Sequence, residues 1–181
     1  MSVRSALLRR QGTTRDGREL LLRPTRETDA PALVALLDAV AAEREFIAAV
    51  PGERSVAEEQ LALAALLSEG GLSIVVEIET EIAGHLAVHR GAAPNQVHSG
   101  DVAIIVANQY RGRGVGRLLM ETAIDWGRAV GLSRLHLGVF TSNERAISLY
   151  RAVGFVEDGV RSAHVKLPDG PRDLLLMSLR L

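Results

Sequence analysis

The chain has 181 residues, a formal charge of −1 at pH 7 and no cysteine. That length suggests one domain able to bury a core unaided. The balanced charge lacks the basic footprint of a nucleic-acid binder, and the missing thiols exclude disulfide frameworks, thiolate metal sites and thiol catalysis.

The N-terminal stretch has no apolar core of signal-peptide length, and no window of about twenty residues is apolar enough to cross a bilayer. A cytoplasmic domain without membrane contact is expected. Residues 1–17 form a tail or an extra strand: the Asp16–Gly17 pair is a turn signal, across which residues 7–13 pair with a β run at 19–23. A helix follows over 29–43, with Leu33, Leu36, Leu37 and Val40 on one face. Pro51 and Gly52 break the chain. Ser55 and Glu58 form a capping box at the start of a second helix, which ends near Glu69 and is closed by Gly70 and Gly71. Two β runs, 72–78 and 82–90, flank a short polar turn. A loop at 91–100 leads to a strand at 101–106. A helix over 114–130 repeats Leu118, Leu119, Thr122, Ala123 and Trp126 at helical spacing. A strand at 133–140, a helix at 142–153 with Ser142 or Asn143 as N-cap, and two final strands at 154–167 and 172–181 complete a mixed α/β sheet with helices on it.

The stretch "QYRGRGVGRLL", residues 109–119, carries three glycines and three arginines between an apolar strand and a helix. A strand-to-helix turn often needs one glycine and nothing more. Here Gly112, Gly114 and Gly116 alternate at a helix start, where unpaired N–H groups and a partial positive charge favour an anion. Arg111, Arg113 and Arg117 add charge, and the whole reads as a phosphate or pyrophosphate cradle. It is not a P-loop, which needs a Lys-Ser/Thr pair after the second glycine. Nor is it a dinucleotide fingerprint: Arg117 stands where the third glycine belongs, and the loop follows a late strand.

"RGRGVG", residues 111–116, resembles the acyl-CoA signature of the GNAT N-acetyltransferases, Gln/Arg-x-x-Gly-x-Gly/Ala. "NERAISLYRAVGFVEDG", residues 143–159, resembles that family's Asn-x-x-Ala-x-x-Leu-Tyr-x-x-x-Gly-Phe block, one helix and one strand downstream. The resemblance covers residue 19 to the C-terminus and implies a GNAT fold over 18–181. Such a fold has a mostly antiparallel mixed sheet of about seven strands, splayed at the coenzyme, with about four flanking helices.

The resemblance also implies acetyl transfer from acetyl-CoA to a primary amine of a small molecule or protein, by direct attack in a ternary complex. The rival reading is an acetyl-CoA-binding module without turnover. The strand before the glycine loop would offer backbone groups of Ile104 and Val106 to the pantetheine arm. Arg111, Gly112, Arg113, Gly114, Val115, Gly116 and Arg117 would hold phosphate, and Asn143 would cap its helix or touch the coenzyme. Tyr150 matches the tyrosine that protonates the departing sulfur. Asp101 stands where some members carry the acid that deprotonates the amine, but strict alternation puts it on the face opposite Val106, and only a bulge would turn it inward. Glu77, Glu79, His85 and His89 are weaker candidates.

The acceptor is expected between the first helix and the last two strands. Glu43, Glu45 and Phe46 would shape its pocket, and Glu157, Asp158, Asp169 and Asp173 would attract a cation. The five histidines and the carboxylates show no metal-ligand spacing, and a homodimer is one assembly the sequence allows.

Overall fold

The computed structural model describes residues 8–91 and 98–181. The first residue of the expected N-terminal pairing and most of the loop at 91–100 lie outside them. Twelve regular elements follow in chain order: β1 (Arg10–Thr13), β2 (Glu19–Pro24), α1 (Ala30–Ala42), α2 (Val56–Ser68), β3 (Leu72–Ile78), β4 (Glu81–Arg90), β5 (Ser99–Val106), α3 (Val115–Ala129), β6 (Arg134–Phe140), α4 (Glu144–Ala152), β7 (Val156–Leu167) and β8 (Gly170–Arg180). The strands form one sheet in the order β1-β2-β3-β4-β5-β6-β8-β7. Every pairing is antiparallel except β5 with β6. The eighth strand, beyond the expected seven, is β1, which pairs with β2 across the turn at Gly17 (φ 85°).

Helices cover both faces. On one face α3 lies against the centre, where a Cβ on Gly84 would touch Val115 and Leu119. Leu22, Ile74, Val76, Leu86, Val88, Leu119, Met120, Ala123 and Trp126 belong to this buried core. On the other face α1 and α2 form a smaller cluster of Ala30, Leu33 and Leu63 over Val75. Strand β3, with both faces covered, therefore reads as a continuous apolar run rather than an alternating one.

Two polar devices fix α1 and α2. Ser55 Oγ accepts the Glu58 N–H at 3.3 Å while the Glu58 carboxylate accepts the Ser55 N–H at 2.8 Å, the reciprocal capping box expected from sequence. At the start of α1, buried Arg23 grips Asp29 through two nitrogens, at 2.7 and 2.9 Å, and Glu77 through Nε at 3.0 Å. Burial of Asp29 acts to raise its pKa, but the hydrogen bonds from Arg23 and the Arg26 N–H outweigh that and leave it lowered. Glu77 is thereby engaged in this ion pair and does not line the cleft described below.

Candidate active site

The site is created where two strands part. Strands β5 and β6 pair over three residues only, Ser99↔Arg134, Gly100↔Leu135 and Asp101↔His136. Beyond that point β6 stays with β8 as far as Phe140↔Leu174, while β5 stays with β4 as far as Val106↔Gly84. The facing edges of β5 and β6 are therefore left without strand partners. The Ala107 N–H donates to Ala83 at 2.9 Å, so by antiparallel alternation the groups of Val102, Ile104 and Val106 face away from β4, into the gap. A cleft of about 1100 Å³ runs through this gap from the α3–α4 face to the α1 face.

The glycine loop closes the α3–α4 end. Gly112 (φ 78°) and Gly114 (φ 97°) are left-handed, and Gly114 is the N-cap of α3 with no side chain capping it. The first N–H groups of α3 thus have no intrahelical partner and stand at the cleft wall with Gly114 and Gly116. A Cβ on Gly112 would collide with the Arg145 guanidinium, and one on Gly116 would meet Leu149 Cδ2 at 3.1 Å. At Gly114 the space is nearly open, the nearest atom to a Cβ there being Arg15 Cγ at 3.9 Å, so an anion can approach the backbone at that point.

The arginines sort differently from the sequence expectation. Arg111 does not turn toward the cradle. Its guanidinium holds Glu43 through two bonds of 2.7 Å, its Nε donates to the Val106 carbonyl at 2.9 Å, and it stacks 4.5 Å from the Phe46 ring centroid. Arg113 pairs with Asp16 in the β1–β2 turn. Arg117 lines the cleft and reaches Glu121, one turn on, at 3.3 Å. Two other arginines come to the loop instead, Arg15 from outside both motifs and Arg145 from an unspecified position of the second. Arg15 arrives on the β1–β2 turn, its N–H bonded to the Arg113 carbonyl at 3.0 Å, and Arg145 arrives on the first turn of α4. Both line the cleft, and neither has an ion-pair partner among the described residues. Local sequence does not assign either of them to this loop, because the contacts that bring them in span the chain.

Asn143 caps α4, its Oδ1 accepting the Ala146 N–H at 3.1 Å, and also lines the cleft. Tyr150 lies 7% exposed, with its ring tilted against Phe155 at 6.2 Å. Its hydroxyl has no hydrogen-bond partner among the described residues, yet it is not sealed off, since among those residues no fully buried side-chain oxygen lacks a partner. Burial pushes the phenol up to about 12.

Asp101 stays where alternation puts it. The β4–β5 register runs unbroken from Gly84↔Val106 to Arg90↔Gly100, so no bulge turns it. It stands exposed at the vertex of the splay, on the α1 face that it shares with Ala103 and Ile105, which line the cleft. Asp101 itself does not line it. His89 is its exposed cross-strand neighbour, and His85 is half-buried, 2.8 Å from the Ser73 hydroxyl, and does not line the cleft. Glu79 lies in the turn before β4 and pairs with Arg18 at 3.7 Å.

At the α1 end the walls are Leu37, Val40, Phe46 and Ile47, with Glu43, Glu45 and His164 as the titratable groups. Leu37 carries the periodicity of a core residue but faces this opening. His164 comes from an irregular stretch of β7, where the register jumps between Arg161↔Leu174 and Val165↔Arg172 and Ala163 takes φ 50°. The Asp173 carboxylate accepts the Ala163 N–H at 2.7 Å and holds that stretch. The other expected acids are also engaged: Glu157 by Arg151, Asp158 by Ser178 at 2.9 Å and Asp169 by Arg172 at 2.5 Å.

A family model described as acetyltransferase (GNAT) family matches residues 35–155. Among solved structures, a GNAT-family acetyltransferase from Streptococcus pneumoniae superposes with a TM-score of 0.83 at 30% identity, covering 90% of this chain and 99% of that one. The [ribosomal protein bS18]-alanine N-acetyltransferase of Escherichia coli is 38% identical over 76 residues, 42% of this chain and 51% of that protein. Streptothricin acetyltransferase of Streptomyces lavendulae is 37% identical over 90 residues, 50% of this chain and 47% of that protein. The chain spans about half the length of the curated relatives it matches.

Proposed function

The chain belongs to the acetyltransferase (GNAT) family, and from that membership we propose that it transfers the acetyl group of acetyl-CoA to a primary amine by direct attack with both substrates bound. The observation that carries the reading is the cleft through the parted strands, with a glycine cradle at one end and an opening beside α1 at the other.

Acetyl-CoA supplies an acyl group activated as a thioester. The N–H groups at the start of α3 bind its pyrophosphate. Ile104 offers both backbone groups to the pantetheine arm. Val106 offers its N–H, because Arg111 already occupies its carbonyl. A backbone N–H on the β5 edge stabilises the charge that gathers on the thioester oxygen. The amine enters from the α1 side between Phe46, Ile47 and Leu174.

An alkylammonium must lose a proton before it attacks. We assign that proton to Asp101 through bridging water. Two strand residues, about 7 Å, separate Asp101 from Ala103 on the cleft wall, too far for direct transfer. The irregular stretch that carries His164 into the cleft favours a second reading, in which the imidazole takes the proton directly. Tyr150 donates to the departing sulfur.

The two curated relatives are named for unlike acceptors, a ribosomal-protein alanine and streptothricin. The acceptor class proposed for this chain is therefore no narrower than a primary amine. The test is thiol release from acetyl-CoA with amino acids, polyamines, aminated antibiotics and N-terminal peptides. Measurable acetyl-CoA binding with no amine-dependent thiol release would leave a binding module. Asp101→Asn and His164→Gln then separate the two bases: the variant that flattens the acid limb of the pH–rate profile, with coenzyme affinity kept, identifies the group.

A further inference from the structure

The three arginines of the glycine loop supply little free charge to the cradle. Arg111 belongs to Glu43, Arg113 to Asp16, and Arg117 leans to Glu121. Yet coenzyme A brings two separate anionic groups, a pyrophosphate and a 3′-phosphate on the adenosine ribose. One helix N-terminus with its partial charge matches the first. The second is a monophosphate that a guanidinium fork fits by charge and shape.

We propose that Arg15 and Arg145 form a subsite for this 3′-phosphate, so that the protein distinguishes coenzyme A from its 3′-dephospho form; the inference rests on the acetyl-CoA reading above. The two side chains reach the same three-residue loop from different elements. Arg15 Cγ lies 3.9 Å from where a Gly114 Cβ would stand, and the Arg145 guanidinium occupies the place of a Gly112 Cβ. The β1–β2 turn is held there by two ties of its own, the Arg15 N–H to the Arg113 carbonyl at 3.0 Å and the Asp16–Arg113 ion pair. Arg145 sits in the first turn of α4, where the helix dipole opposes a cation. A bound anion removes that conflict. Neither guanidinium has a carboxylate partner among the described residues, so both are available to a ligand.

The experiment is calorimetric titration of the full chain at low and moderate salt with two probes, coenzyme A and 3′-dephospho-coenzyme A. Wild type is expected to bind coenzyme A about tenfold more tightly, a difference that shrinks as salt rises because both arginines are solvated. Arg15→Gln and Arg145→Gln should each weaken coenzyme A about threefold and leave the dephospho form unchanged, and the double variant should bind the two alike. Equal affinity of wild type for both probes would overturn the proposal. So would variants that weaken both probes equally, because the arginines would then serve the pyrophosphate. If neither probe binds, the coenzyme reading itself fails and the subsite with it. Thermal unfolding of the free variants, expected to match wild type, keeps a folding defect from passing as lost binding.

Discussion

Arg111 and Glu43 lie 68 residues apart and meet in a two-bond ion pair, 2.7 Å on each side, that ties the end of α1 to the end of β5. Phe46 stacks on the same guanidinium. One side chain thus fixes both the α1-side wall of the cleft and the end of β5. Arg111→Lys keeps the charge but loses the fork and most of the stacking. Stability should fall by about 1–2 kcal/mol. The acceptor KM should rise, with acetyl-CoA affinity altered less than about threefold. Calorimetry and steady-state kinetics decide it. A loss of coenzyme affinity with the acceptor KM intact would return Arg111 to the phosphate.

Gly114→Val places a β-branched side chain at φ 97° on the N-cap of α3. Such a residue resists the left-handed region by about 1–2 kcal/mol and projects toward the cradle. Acetyl-CoA binding should be lost in a protein that still unfolds cooperatively. A folded variant with wild-type affinity would refute the cradle.

Tyr150→Phe keeps the ring against Phe155 and removes a hydroxyl with no protein partner among the described residues, so stability near neutral pH should hold. kcat should fall about 10²–10⁴-fold with the Kd for acetyl-CoA unchanged. With the phenol at about 12 and a free alkyl thiol near 8.5, full proton transfer is uphill by roughly 5 kcal/mol. In the proposed reaction the tyrosine would therefore act by hydrogen-bonding the developing thiolate. The folded phenol keeps its proton where the unfolded one, near 10, loses it. Stability should consequently drop between pH 10 and about 12, and that drop should be missing from the Phe variant. Near-normal kcat in the variant would leave Tyr150 as core.

His85 gives a prediction independent of catalysis. Burial lowers its pKa to about 4, against the pull of the Glu59 and Asp29 carboxylates and with a small push from His89. An unfolded histidine titrates near 6.5. As pH falls below that value the unfolded chain takes up a proton that the folded one refuses. Stability should fall by about 3 kcal/mol between pH 6.5 and 4. Chemical denaturation across this range should show a shallower fall in His85→Gln, whose amide can still bond Ser73. An identical fall in both proteins would show that other groups carry the acid sensitivity.

Short-range signals in the sequence determined most of the elements. The capping box of Ser55 and Glu58, the Asn143 cap, the turn at Gly17 and the glycine-flanked start of α3 each act within four residues or so, and each stands in the structure as the sequence implies. Periodicity found the helices but did not separate Leu37, which faces the cleft, from Leu33 and Leu36, which are buried. The sequence also led to the expectation of an anion site at the loop and, through the resemblance, of a proton donor at Tyr150, which the structure brings to the cleft.

What only the tertiary structure decided is which charge goes where. A guanidinium reaches several ångströms in any direction, and its partner is set by whichever carboxylate the fold brings near. Arg111 met Glu43, Arg113 met Asp16 across 97 residues, and Arg15 and Arg145 came to a loop distant in sequence from both. The opening between β5 and β6 is of the same kind: both strands remain fully paired on their other sides, so nothing in either strand's own pattern announces where the two part.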